Sequence, residues 1–254
     1  MAEPEEEPPD DESAPRPAWY AASPGAWRDW VSVLHLPYTA WHLSYVLIGA
    51  GLAPVLSVER LNATLIAFAL AVGVAAHGFD ELHGRPLRTT INAPVLAGVS
   101  ATALAGSVAL GVAGIAKVGW GLAGFIAAGA LLVVAYNLEL WGGRFHNDTV
   151  FALAWGSFPV LAAYYAQAVT LRPAAIAGAV FAFAMSRAQR VLSSEARDLR
   201  RRVSEIAGEK TYRDGSRSPL SRQSILKPLE RCLVALSWST CALGVALVFA
   251  RTGH

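Results

Sequence analysis

The sequence predicts an all-α protein, a polytopic bundle of about seven membrane-spanning helices with a cytoplasmic amino terminus. Two observations support this fold class. The 254 residues are 54% hydrophobic and only 16% charged, a low charged fraction for a soluble domain of this size. The apolar residues also come in blocks, and a block of roughly 18 residues spans a bilayer as a helix because hydrocarbon satisfies no backbone polar group.

The chain begins with an acidic, proline-rich segment, MAEPEEEPPDDESAPRPA. No hydrophobic core follows a basic start there, so residues 1–25 are predicted to be a disordered tail rather than a signal peptide. This acidic tail is a candidate docking arm for a protein partner. In WRDWVSVLHL, apolar residues recur at spacings of three, four and seven. That pattern predicts an amphipathic helix over 26–36, lying in the membrane interface.

Residues 37–254 form the predicted bundle. Seven apolar blocks qualify or nearly qualify as spans, at 38–57, 61–80, 94–115, 118–138, 149–170, 173–191 and 229–250. A basic segment at about 192–228 separates the last two blocks and is expected in the cytoplasm. Apolar residues recur there at spacings of four and three, which predicts that the sixth helix continues as an amphipathic stem through Leu192, Ala196, Leu199, Val203 and Ile206. Cys232 and Cys241 lie nine residues apart in the last block and predict no disulfide framework.

The distribution of basic residues predicts the orientation in the membrane. Only four of the 21 Lys and Arg residues fall on one side of these seven spans, namely Arg60, Lys117, Arg172 and Arg251. Positive charge marks the cytoplasmic loops, so the chain is predicted to lie in the inner membrane with its amino terminus inside. The polar ends of spans two, four and six then share the cytoplasmic side, where one pocket is expected to gather them. The expected partner is membrane lipid and not nucleic acid.

The stretch HGFDELHGRPLRTT closes the second span with charged residues. His77, Asp80 and Glu81 share one face of a helix. Carboxylate oxygens suit Mg²⁺, which keeps several waters and bridges to substrate phosphates. The alternative is a helix end whose acids pair with Arg85 and Arg88. A weaker alternative is a transition-metal site that adds His83 and His146, although the repeated Glu-x-x-His pair of a bundle di-iron site is missing.

Two further polar stretches end the fourth and sixth spans. In SEARDLRRR, Glu195 and Asp198 lie one turn apart among four arginines. Topogenic charge explains the arginines but not the acids. The stretch YNLELWGGRFHND is either a solvated loop or a source of ligands and a proton relay. Its polar residues are Asn137, Glu139, Arg144, His146 and Asp148.

Over roughly residues 33–200, these stretches resemble the UbiA-type prenyltransferase superfamily of membrane bundles. HLPYTAWHLSYVLIGAGLAP is similar to that family's first span. AHGFDELHGRPLR resembles the end of its second span, where an Asp-rich motif leads to Arg-Pro. AYNLELWGGRFHNDTVFALAWGSFPVLAAYY is similar to its fourth loop and fifth span. SRAQRVLSSEARDLRRR lies where the second Asp-rich motif is expected.

The resemblance implies a reaction. An isoprenyl diphosphate would bind through Mg²⁺ held by two acidic motifs at the cytoplasmic mouth, and its prenyl group would pass to an aromatic or lipid acceptor inside the membrane. The implied catalytic and metal-binding carboxylates are Asp80, Glu81, Glu195 and Asp198. The implied substrate contacts are His77, Arg85, Tyr136, Asn137, Arg144, Arg190 and Arg197. The aromatic lining is expected to include Phe79, Tyr136, Trp155 and Tyr164.

The chain also departs from the family pattern. The family's first motif has more aspartates, its second motif spaces them by four rather than three, and its bundle usually has nine spans. A second hypothesis therefore stands beside the enzyme. It is a catalytically silent UbiA-like bundle that serves as the lipid- or quinone-binding membrane subunit of a larger complex.

Overall fold

The computed structural model describes residues 26–252, so the predicted tail over 1–25 lies outside the described residues. The helices are α1 (Ala26–Val33), α2 (Leu36–Leu52), α3 (Val58–Leu82), α4 (Ala93–Val118), α5 (Leu122–Asn137), α6 (Asp148–Ala168), α7 (Pro173–Arg201) and α8 (Arg222–Thr252). Two short strands, β1 (Glu209–Thr211) and β2 (Arg217–Pro219), pair antiparallel between α7 and α8. The all-α fold class is confirmed, and the small hairpin is an addition that the sequence did not predict.

The helix starts follow ordinary capping chemistry. The Ser57 side chain accepts a hydrogen bond from the backbone N–H of Arg60 at the start of α3. The Asn147 side chain does the same for the first turn of α6. Both groups satisfy N–H donors that have no partner inside the helix. A proline in the first turn begins α2, α4 and α7, where its missing N–H costs nothing.

Within the described chain, four helices are long and apolar enough to cross a membrane, namely α3, α4, α6 and α8. They indicate a membrane protein. The helices at the other three predicted spans fall short for different reasons. At 16 and 17 residues, α5 and α2 reach about 24–26 Å, less than a hydrocarbon core of about 30 Å. The carboxyl-terminal half of α7 carries arginines and acids. The predicted count of about seven spans is therefore not confirmed.

Helix α2 packs closely against both α6 and α8. A Cβ atom on Gly49 would clash with the carbonyl oxygen of Val160, so the α2 and α6 backbones touch there. A Cβ atom on Gly244 would likewise lie 2.9 Å from the carbonyl oxygen of Ser44. Small residues at such crossings allow helices to approach closely in lipid. Trp41 and Tyr45 of α2 fill the adjoining core.

The predicted stem at the end of α7 packs on the start of α8. Ala196 and Leu199 form one buried cluster with Leu226 and Leu233 of α8. Helix α7 ends at Arg201, so the last two predicted stem residues, Val203 and Ile206, follow the helix but still pack on this cluster.

Two helices contain a wider π-helical segment, Ala69–Ala76 in α3 and Ala152–Ser157 in α6. Both segments contribute to one buried cluster, through Val72 and Trp155 among others. A π-helical turn shifts the facing of the residues that follow it and is frequent at functional sites. In α3 the segment ends immediately before His77, where the polar stretch of this helix begins.

Candidate functional site

A polar cavity of about 190 Å³ lies where the polar ends of α3, α5 and α7 come together. The start of α2, the start of α6 and the first turns of α8 complete its wall. The structure thus gathers three stretches that the predicted topology assigned to one side. Its wall holds four arginines but only two carboxylates, those of Asp80 and Glu230.

The four arginines all come from α7 and form one face of that helix. They are Arg190, Arg197, Arg200 and Arg201. Two of the four predicted arginine contacts, Arg190 and Arg197, therefore do line the cavity. Arg200 forms an ion pair with Glu230 across the cavity wall. The guanidinium groups still outnumber the carboxylates of this wall, and such an excess of positive charge favours binding of an anion.

The two neighbouring acids of the first motif have different surroundings. Asp80 lines the cavity, and no described residue hydrogen-bonds or ion-pairs with its carboxylate. Glu81 is 1% exposed and points into the loop after α3. Its carboxylate accepts hydrogen bonds from the backbone N–H groups of Leu87 and Thr89 and from the Thr89 hydroxyl, at 2.8–2.9 Å. Glu81 thus has a structural environment and does not line the cavity.

Further hydrogen bonds order the same loop. Asp29 of α1 accepts from the backbone N–H and the hydroxyl of Thr90, at 2.8 and 2.7 Å. Arg85, a predicted substrate contact, instead donates to the carbonyl oxygens of Thr89 and Ile91. These bonds hold α1 against the loop and bring Leu87 into the cavity wall. The helix predicted over 26–36 is thus packed on the bundle along this side.

The structure does not bring the second acidic motif into the cavity. Glu195 is exposed, and Asp198 forms an ion pair with Arg202 at 3.3 Å. Neither residue lines the cavity that holds Asp80. Among residues 26–252, no group of three or more His, Cys, Asp or Glu side chains is arranged to hold a metal ion. The four predicted Mg²⁺ ligands therefore do not converge, and the donor set does not fit the predicted metal site.

Some of the other predicted substrate contacts line the cavity, and others lie on the protein surface. His77, Tyr136 and Asn137 line the cavity, although the Asn137 amide already donates to the Val133 carbonyl oxygen at 2.7 Å. The Tyr136 ring stacks on His146 with centroids 4.5 Å apart. Arg144 is exposed and does not line the cavity.

Sequence reasoning missed a second set of polar residues, which lies immediately before α2 and in its first turns. His35, Tyr38 and His42 line the cavity. The rings of His35 and His77 stack with centroids 4.4 Å apart. The Nδ1 atom of His42 lies 2.9 Å from the Trp155 carbonyl oxygen. Part of the signal was readable, because a spacing of four puts Tyr38 and His42 on one face of α2. His35 precedes the helix, so its place in the wall does not follow from helical spacing.

An apolar groove of about 360 Å³ adjoins the polar cavity. Side chains of α3, α4, α5 and α6 line it, and Val72 and Trp155 border both spaces. Of the expected aromatic lining, Tyr136 and Trp155 do line the polar cavity. Phe79 and Tyr164 instead pack in buried clusters. An arginine-lined cavity beside an apolar groove suits a molecule with a charged head and a hydrocarbon chain.

Comparison with known proteins identifies no relative, since no family model, curated protein or solved structure matches the chain.

Proposed function

We propose that the protein binds an isoprenyl diphosphate in the membrane and transfers its prenyl group to an aromatic or lipid acceptor. The observation that carries this proposal is the arginine face of α7 beside an apolar groove. In this arrangement the diphosphate lies among Arg190, Arg197, Arg200 and Arg201. The hydrocarbon chain passes Val72 and Trp155 into the groove.

The arginines would drive the proposed bond cleavage. When the bond between the allylic carbon and the bridging oxygen breaks, its electron pair leaves with the pyrophosphate. Negative charge on the leaving group therefore increases, and guanidinium groups already in position stabilise it without reorganising. The acceptor then bonds to the allylic carbon, and its proton passes to the departing pyrophosphate.

The aromatic wall suits the other half of the reaction. Tyr136 and Trp155 meet edge to face, with ring centroids 5.7 Å apart, at the border between cavity and groove. An allylic cation formed there would lie beside aromatic faces, which attract positive charge. The buried apolar surroundings also keep water from capturing the cation.

The separation of the predicted acidic motifs favours a second function. Glu195 and Asp198 lie away from Asp80, as expected for a bundle that keeps lipid binding but has lost transfer chemistry. In that case the chain is a lipid- or quinone-binding subunit of a larger complex. The acidic segment over 1–25 is then its proposed docking arm for a protein partner.

The proposal includes a membrane arrangement. All seven helices from α2 to α8 cross the inner membrane, with the polar cavity open to the cytoplasm and the amino terminus inside. The charge distribution of the loops supports this orientation. Bilayer thinning and polar flanking residues accommodate short helices such as α5.

The test is a titration of the purified full-length protein with inorganic pyrophosphate, followed by calorimetry. Arg197→Gln is expected to weaken binding about tenfold or more, because a charge-assisted hydrogen bond contributes roughly 1.5–3 kcal/mol. Arg202→Gln is the matched control, since that side chain is 83% exposed and pairs with Asp198. Equal affinity in the two variants would contradict the proposed anion site.

Two further experiments separate the arginine site from the acidic Mg²⁺ site, and the transferase from the silent subunit. Because the arginines supply the positive charge, pyrophosphate binding is expected to persist in EDTA. A strict requirement for Mg²⁺ would instead support the predicted acidic site. Pyrophosphate release from farnesyl or geranylgeranyl diphosphate supports the transferase. Binding without release, together with a stoichiometric protein partner on purification, supports the silent subunit.

A further inference from the structure

Gln189 of α7 is a buried amide without a protein partner. Its side chain is 6% exposed and lines the polar cavity. Within residues 26–252, its Oε1 atom is the one fully buried side-chain nitrogen or oxygen that makes no hydrogen bond. No described residue bonds to its Nε2 atom either.

This lack of partners is costly. Leaving a buried polar group unsatisfied costs about 1–3 kcal/mol, and native structures rarely tolerate it without a ligand or water. Gln167, which is equally buried at 6%, shows how the fold satisfies such a group. Its Oε1 accepts from the Ser57 N–H at 2.7 Å and its Nε2 donates to the Ser57 carbonyl oxygen at 3.2 Å. Gln189 therefore requires a hydrogen-bond partner from outside the protein.

A neighbouring histidine adds a second hydrogen-bonding atom to the cavity. His42 is buried, and its Nδ1 bonds to the Trp155 carbonyl oxygen at 2.9 Å. A carbonyl oxygen only accepts, so Nδ1 carries the proton and the Nε2 of the neutral ring has a free lone pair. Two residues of the cavity wall thus carry unused acceptors, Gln189 Oε1 and His42 Nε2, and Gln189 Nε2 is an unused donor.

The complement of this set is a neutral hydroxyl group. A hydroxyl has one donor and two acceptor positions, so it can satisfy the Gln189 amide. The four arginines of the same cavity would repel a cation, and they would draw an anion to themselves and away from the amide.

We propose that Gln189, together with His42, binds the hydroxyl group of a neutral second substrate, an alcohol or a phenol, beside Trp155. This inference rests on the proposed function, because the hydroxyl site is an acceptor site only when a diphosphate occupies the arginines. Trp155 borders both the polar cavity and the apolar groove. The acceptor oxygen therefore lies near the path of the prenyl chain.

The test uses matched probes on the full-length protein, with pyrophosphate present and with titrations into empty micelles subtracted. The probes are 4-methylphenol and its methyl ether, which lacks the hydroxyl proton, and hexanol and its methyl ether. Wild-type protein is expected to prefer one hydroxyl probe about 3- to 10-fold over its ether, the value of one neutral hydrogen bond. The probe pair that shows the preference indicates whether the natural substrate is a phenol or an alcohol.

Gln189→Leu is expected to abolish this preference and to leave pyrophosphate binding unchanged. Its thermal midpoint is expected to stay the same or to rise. A merely structural glutamine would instead lower the midpoint. Gln223→Leu, at an exposed position of α8, is the control and keeps the preference. Gln189→Met provides a second variant with an unbranched side chain of similar length.

The outcomes separate the two proposals. A hydroxyl preference that survives in both Gln189 variants, or that is missing in wild-type protein, overturns the hydroxyl site while pyrophosphate binding still supports the anion site. Loss of pyrophosphate binding in wild-type protein overturns the proposed function itself.

Discussion

Arg190 and Asp148 join α7 to the start of α6. The Nε and Nη2 atoms of Arg190 both donate to the Oδ1 atom of Asp148, each at 2.8 Å. The guanidinium carbon also lies 5.0 Å from the centre of the Phe151 ring. The guanidinium group is therefore held by a paired charge and an aromatic face, with its position in the cavity wall fixed before any ligand arrives.

Replacing Arg190 by Lys is expected to weaken pyrophosphate binding several-fold and to lower the thermal midpoint. A lysine keeps the charge but cannot reproduce the two donors from one planar group or the contact with the ring. Calorimetry and thermal unfolding of the purified protein measure the two effects. Arg187→Lys is the matched control, because Arg187 also lies near Asp148, at 3.7 Å, but does not line the cavity. An equal loss in both variants would show that the position of Arg190 in the cavity wall is unimportant.

The two acids of the first motif are expected to respond in opposite ways. Glu81→Gln is expected to cost about 2–3 kcal/mol of unfolding free energy, because three donors lose a charged acceptor inside the protein. Asp80→Asn is expected to leave stability unchanged or slightly higher, since no described residue bonds to that carboxylate. Thermal and denaturant unfolding in detergent measures both. A stable Glu81→Gln protein would contradict the structural role assigned to this residue.

This contrast shows how far sequence reasoning reaches. Hydropathy places a helix at each of the seven predicted blocks, because apolar length is a local property. Helical spacing groups His77 with Asp80 and Glu81, and two of the three do line the cavity. It cannot separate Asp80 from Glu81, because the loop that captures Glu81 folds back from residues 87 and 89. That tertiary contact leaves no trace in helical periodicity.

The facing of α7 is a different case. Arg190, Arg197 and Arg201 recur at spacings of seven and four, so the arginine face was readable from the sequence. Glu195 and Asp198 lie on other sides of the helix and were assigned to the site only through the family resemblance. Gln189 was missed because its significance lies in having no partner, which only a structure reveals.

His35 is expected to make stability dependent on pH. Burial, with smaller contributions from the positive charge of Arg201 and from His42, lowers the pKa of His35 to about 4. The unfolded chain takes up a proton near the ordinary histidine pKa of about 6.5, whereas the folded chain does not until about pH 4. Stability is therefore fully present above about pH 6.5 and falls as the pH drops toward 4, by about 3 kcal/mol for this group.

The contribution of His35 is measured by comparing wild-type protein with the variant His35→Asn. His35 has a backbone φ of 45°, which asparagine tolerates better than most residues. The variant is expected to lose less unfolding free energy than wild-type protein between pH 7 and pH 4.5. Parallel pH profiles of the two proteins would show that His35 does not titrate on unfolding.

The proposed orientation is testable from the two ends of α7. This helix has 29 residues and is about 43 Å long, so Arg172 before its start and Arg213 in the hairpin after its end are expected on opposite sides of the membrane. Both side chains are exposed. In a background of Cys232→Ser and Cys241→Ser, a membrane-impermeant maleimide is expected to label Arg172→Cys in intact cells. Arg213→Cys is expected to react only after permeabilisation, because basic loops stay in the cytoplasm. The reverse pattern would turn the arginine cavity to the outside, and labelling of both variants in intact cells would mean that α7 does not cross the membrane.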